Sequence, residues 1–178
     1  MFPVNIIHAK AEQLGLKYLV IGGHAVNAYG TPRTTIDVDF LICRDDLQAW
    51  TSLLLKEGFK VMNTGNNFVQ FSPPYGTVWN LDLMLVNQKT WAQLHSAARL
   101  VTMLGINTLV PSAEHLIGLK VHALKFGPER RRGQDLADVV MLIRNAGIDP
   151  RSDSFKKLID QFGTQEIYEQ ILESCPPA

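Results

Sequence analysis

Two aspartates, Asp37 and Asp39, stand two residues apart in the apolar run "IDVDFLI". On a strand, residues at that spacing point to one face, and Val38 and Phe40 point to the other. Two ionised carboxylates side by side repel, so a central strand that carries them needs a compensating cation or base. Magnesium meets that need with oxygen ligands and usually keeps substrate phosphates in its shell. Two such ions can clamp the attacking and leaving oxygens of a phosphoryl displacement. A third carboxylate often joins such a site. Asp82, in "VWNLDLML", alternates with Leu81, Leu83 and Leu85 and is the candidate.

Gly22 and Gly23 come just before, between the apolar "KYLVI" and "HAVNAYG". Glycines at a strand-to-helix turn let a phosphate approach the backbone, and the N–H groups that open the helix favour an anion. Each signal has a plainer reading. Gly-Gly after a strand is often only a turn, and Asp-x-Asp can mark a solvated edge. The conjunction is stronger than either part, because "FLI" beyond the aspartates is apolar on both faces, as in a central strand.

The elements that must position these groups follow from periodicity. Helical patterning covers residues 5–14, and "KYLVIG" is a short buried strand. "HAVNAYG" is a short helix closed by Gly30 and a turn at Pro32. "IDVDFLI" is a strand, and "DDLQAWTSLLLKEG" is an amphipathic helix ending at Gly58. "FKVMN" and "NFVQFS" read as strands around "TGN", "SPPYGT" as a loop, and "VWNLDLMLV" as a further strand. "QKTWAQLHSAARL" reads as a helix, and "VTML" and "NTLVP" as short strands. From Ser112 the pattern is helical, over about 112–126, 134–146, 152–162 and 164–174. The expected fold is α/β (α+β): a mixed sheet with flanking helices over residues 1–111, then a helical lobe over 112–178.

Composition narrows the partners. In 178 residues, 17 basic groups balance 17 acidic ones, which argues against an architectural DNA binder but leaves room for a local basic patch. Cys43 and Cys175 form no Cys-x-x-Cys pair, which argues against a disulfide framework or zinc site, and His115 and His122 lack zinc-ligand spacing and read as structural. No apolar run of about 18 residues occurs and "MFPVNIIHAK" has no signal-peptide pattern, so a soluble cytoplasmic protein without membrane contact is expected. The chain has no Walker A, Gly-x-Gly-x-x-Gly, Gly-x-Ser-x-Gly or His-Glu-x-x-His motif.

With these residues in view, "GGHAVNAYG-PR-T-DVDFLI" resembles the nucleotidyltransferase superfamily of the DNA polymerase beta type. That superfamily carries a Gly-Gly or Gly-Ser turn and then Asp-x-Asp or Asp-x-Glu on the next strand. Within it, the chain looks like the AbiEii-type and related small bacterial nucleotidyltransferases, many of them toxins of toxin–antitoxin pairs. The block covers about 25 residues. Beyond it the likeness rests on the later Asp82 and on a helical lobe with a lysine and an aspartate.

The resemblance implies a nucleotidyl transfer from an NTP to a hydroxyl, with release of pyrophosphate. Gly22 and Gly23 would hold the triphosphate. Asp37 and Asp39 would ligate Mg2+, and Asp82, the third carboxylate, would orient or deprotonate the acceptor. Lys120 lies in the apolar stripe of "SAEHLIGLKVHALKF", where a lysine either snorkels out or points into a polar cleft. The resemblance favours the cleft, and a nucleotide contact. Asp135, in "GQDLADVVMLI", resembles the family's second lobe motif or is simply a first-turn acid favoured by the helix dipole. Asp138 reads as structural. The run Arg130–Arg132 is either a solvated loop or placed to grip phosphates, and Arg33 either meets a phosphate or pairs with an acid. The acceptor is expected to be RNA, most plausibly tRNA, with a cognate antitoxin as protein partner. Open alternatives are a small-molecule acceptor such as an antibiotic, or a non-catalytic member that binds nucleotide or RNA.

Overall fold

A computed structural model of the protein describes residues 3–30, 33–74 and 79–176. The expected turn at Pro32 and the end of the "SPPYGT" loop lie outside the described residues. The chain divides into two compact units. One takes Met1–Ala28 and Pro32–Ser112, the other Tyr29–Thr31 and Ala113–Ala178.

In the first unit, helix α1 (Pro3–Gln13) leads to the two-residue strand β1 (Leu19–Val20) and the short helix α2 (Gly22–Asn27). Strand β2 (Val38–Cys43) and helix α3 (Leu47–Lys56) follow, with the acids Asp45 and Asp46 in a 3-10 turn just before the helix. Next come strands β3 (Lys60–Gly65), β4 (Phe68–Ser72) and β5 (Leu81–Val86), then helix α4 (Gln88–Ser96) and the hairpin β6 (Arg99–Met103)–β7 (Ile106–Val110). Five strands form a mixed sheet in the order β1-β2-β5-β4-β3, and β6 and β7 form a separate pair. Strand β2 is therefore internal, as its two-sided apolar end suggested. It pairs antiparallel with β1 and parallel with β5.

The register gives the sheet two chemically different faces. Val38, Phe40, Leu81, Leu83, Val69 and Phe71 are all buried on one of them. Beneath β2, Tyr18 stacks on Phe40 with ring centroids 4.1 Å apart, and Trp50 of α3 meets both rings edge-on. Val4, Ile7 and Ala11 of α1 are buried at helical spacing. This packed layer fixes β2 by its even-numbered residues and leaves Asp39 to the opposite side.

The second unit comprises α5 (Ala113–Phe126), α6 (Arg132–Ala146), α7 (Asp153–Phe162) and α8 (Gln165–Ser174). Its helix ends are chemically marked. Ser152 and Thr164 accept from the backbone N–H groups of Phe155 and Ile167 at the starts of α7 and α8. Gly147 closes α6 in the left-handed conformation, and the Ile148 N–H reaches back to the Ile143 carbonyl at 3.0 Å. Among the described residues, no helix is long and apolar enough to cross a membrane.

Candidate active site

The parallel pairing of β2 and β5 puts Asp39 directly opposite Asp82. Paired residues in a ladder share a face, so these two carboxylates project together although strands β3 and β4 intervene in sequence. Asp37 lies one residue before β2 and is exposed, and the amide of Asn80 donates to its Oδ1 at 3.4 Å. The Val38 N–H bonds the Asn80 carbonyl at 3.0 Å, which carries the β2–β5 alignment back to the level of Asp37. All three predicted carboxylates thus stand at the same end of two adjacent strands.

Gly22 opens α2 with φ +62°, a conformation side chains rarely adopt. A Cβ there would come within 1.9 Å of Asp39 Oδ2. A Cβ on Gly23 would meet Thr35 at 2.7 Å and the Arg33 guanidinium at 2.9 Å. The glycines therefore let Asp39, Thr35 and Arg33 crowd the head of α2. Arg33 is held there by Asn27. The Asn27 amide accepts from the Arg33 N–H and donates to its carbonyl, both at 2.9 Å. His24 sits on the same short helix. Burial, and then the charge of Arg33, hold its imidazole below the ordinary pKa, which keeps it neutral at pH 7.

In the helical unit, Lys120 does lie in the apolar stripe of α5, and it is buried. It neither snorkels nor stands alone. Its ammonium donates to Asp135 Oδ1 at 2.7 Å and pairs with Asp138 Oδ2 at 2.8 Å, both on α6. Gln134 donates to the other Asp138 oxygen at 3.0 Å. Arg130 and Arg131 are exposed, Arg131 with its Nε 3.9 Å from Asp135 Oδ2, and Arg132 pairs with Glu166 at 2.7 Å.

Sequence reasoning overlooked three side chains. Gln70 of β4 pairs in register with Asp82 and donates to its Oδ2 at 2.8 Å. Its only advance signal was its polarity between Val69 and Phe71. Asn27 carries no signal within "HAVNAYG" that sets it apart. Asp138 was read as structural, without Lys120 as its partner.

Among the described residues, no group of three or more His, Cys, Asp or Glu is gathered closely enough to cage a metal ion. The donor set is nevertheless all oxygen, with two carboxylates in register on neighbouring strands. This suits a magnesium ion that takes one or two carboxylates and completes its shell with substrate phosphates. Zinc, which prefers nitrogen and sulfur donors, has no such set here.

Known proteins point the same way. Residues 83–175 match the model of the family described as nucleotidyl transferase AbiEii toxin, type IV toxin–antitoxin system. No curated protein matches the chain in sequence. Among solved structures, the antibiotic-resistance factor ANT(2'')-Ia is similar over 91% of this chain and 92% of its own, with 15% identity and a TM-score of 0.67. An antigenic nucleotidyltransferase-like protein from Paracoccidioides brasiliensis matches 95% of this chain and 89% of its own, at 19% identity and a TM-score of 0.56. The lincosamide antibiotic adenylyltransferase LnuA, solved with lincomycin bound, matches 82% and 96%, at 15% identity and a TM-score of 0.54. At such identities the likeness is one of fold.

Proposed function

The chain belongs to the AbiEii nucleotidyl transferase toxin family, and from that premise we propose that it moves an NMP group from an NTP to a hydroxyl of RNA, most plausibly tRNA. The observation that carries this reading is the register pairing of Asp39 with Asp82, with Asp37 one step before the strand. Asp37, Asp39 and Asp82 would hold Mg2+, which when bound supplies charge stabilisation to the phosphates and the developing oxyanions. The acceptor oxygen forms a bond to the α-phosphorus, and the bond from that phosphorus to the pyrophosphate oxygen breaks. The hydroxyl proton passes to the Asp82 carboxylate. The protein contributes mainly position and charge.

Gly22 and Gly23 would admit the triphosphate at the head of α2, with Arg33 as its cationic contact. Lys120 and Asp135, within the helical unit taken by itself, are the further proposed nucleotide contacts. Because the Lys120 ammonium already bonds two carboxylates, substituting it changes both stability and nucleotide affinity, and only the affinity tests the assignment. For the acceptor, the exposed Lys125, Arg130 and Arg131 offer phosphate contacts on a chain of zero net charge, which would make acceptor binding salt-sensitive. A cognate antitoxin is the protein partner the family implies. The fold it shares with two antibiotic-modifying proteins favours a small-molecule acceptor as the second reading.

The test is incubation with each labelled NTP and magnesium, offering total RNA, protein and aminoglycosides as separate acceptor pools. Label is expected in RNA, and Asp39→Asn should reduce it by at least ~100-fold while leaving the fold intact. Expression without a neighbouring gene product should arrest growth, and Asp39→Asn should relieve the arrest. Label in the aminoglycoside pool alone would move the assignment to a small-molecule acceptor. Harmless expression with no label in any pool would leave a non-catalytic binding protein.

A further inference from the structure

A row of four polar side chains crosses the sheet at the level of the carboxylates. Register pairs place Asp39 beside Asp82, Asp82 beside Gln70, and Gln70 beside Asn63. The hydrogen bonds along it have a fixed direction. A carboxylate only accepts, so the Gln70 atom 2.8 Å from Asp82 Oδ2 must be its NH2 group. A flipped amide would set two acceptors against each other there. The Gln70 oxygen therefore faces Asn63, which donates to it from Nδ2 at 3.2 Å.

The strand geometry is shaped to make this row. From Lys60 opposite Ser72 and Val61 opposite Phe71, an uninterrupted antiparallel ladder would next bring Met62 opposite Gln70. The register instead shifts between Val61 and Asn63, so that Asn63 takes that place. A bulge of this kind re-aims side chains at the cost of one ladder position. Here it exchanges a thioether for an amide at the one site where an amide can orient Gln70. The flanking Val69 and Phe71 are buried on the opposite face, so β4 is anchored without help from Gln70.

Resting on the proposed site, we infer that Gln70 is a positioning residue for Asp82, with Asn63 setting its amide. The charge-assisted bond to Oδ2 fixes the rotation of the Asp82 carboxylate, and with it the oxygen presented to metal and acceptor. Partners that orient a ligating carboxylate typically carry ~10–100-fold in metal affinity or activity.

The test is a double-mutant cycle on the full chain, read by Mn2+ affinity in the presence of a non-hydrolysable ATP analogue and by melting temperature. Gln70→Leu should weaken Mn2+ binding by ~10-fold, with only a modest fall in melting temperature from the lost hydrogen bond. In the Asp82→Asn background the same substitution should change nothing further. Equal losses in both backgrounds, or none in the native one, would overturn the inference while the carboxylate site stands. A native protein that binds no Mn2+ would overturn the carboxylate site and this inference with it.

Discussion

Gly22 is constrained twice, by a positive φ and by the carboxylate of Asp39 lying where a side chain would begin. Gly22→Ala should therefore strain the turn and push Asp39 off its position, costing stability by about 1 kcal/mol or more and lowering nucleotidyl transfer far beyond that loss. Gly147 makes a control, because it shares the positive φ but has nothing within 4 Å of its would-be Cβ. Gly147→Ala should lose stability alone. Melting curves alongside label transfer separate the two cases. The need for a glycine at 22 was legible from "VIGGH", but its occupant was not. Which side chain fills the space depends on where β2 returns, and that is set by the β1–β2 pairing of Leu19 with Leu41 rather than by anything local.

Helices α5 and α6 are joined by an ion cluster inside an otherwise apolar contact. Lys120, Asp135 and Asp138 are each no more than 6% exposed, so solvent screens the cluster little. Removing the cation leaves two carboxylates buried without it, which typically costs about 3–5 kcal/mol. Lys120→Met is thus expected to lower unfolding free energy by that order in urea titrations. Nucleotide affinity measured on the folded fraction then decides the binding role separately. The sequence showed both helices within a residue or two, because periodicity and the glycine stop are local signals. It did not show the cluster. Asp135 and Asp138 are one turn apart on α6, and only the path of the chain between Phe126 and Arg132 brings that turn against Lys120.

At the scale of the molecule, the family match begins at Leu83, one residue past Asp82, and runs from within β5 to Cys175, just past α8. The Gly-Gly and Asp-x-Asp block, the sharpest signal by residue chemistry, lies wholly outside it. The carboxylate block and the family match thus rest on separate residues, although Lys120 and Asp135 fall inside the match. Global stability carries its own signature. Burial, opposed by a hydrogen bond from Thr108 and aided by the charge of Glu12, pushes the Tyr18 phenol up from 10.0 to about 12. Below pH 10 both folded and unfolded states keep the proton. Between pH 10 and 12 the unfolded chain releases it and the folded one does not, so stability falls as pH rises through that window. Two pKa units correspond to about 2–3 kcal/mol. Tyr18→Phe should lose some stability at pH 8, since His8 Nδ1 loses its partner at 2.8 Å. It should also show a shallower decline above pH 10 in denaturant titrations at stepped pH.

The parallel pairing of β2 with β5 also fixes an order of events as the polypeptide is made. Asp39 meets Asp82 only after β5 is available, and β5 is itself clasped by β4 on its other edge. Closing so long a loop is slow compared with forming a local hairpin. A chain emerging from the ribosome therefore carries Asp37 and Asp39 well before it carries a site. The three carboxylates are therefore assembled in one step, with the pairing of β2 and β5, rather than built up residue by residue.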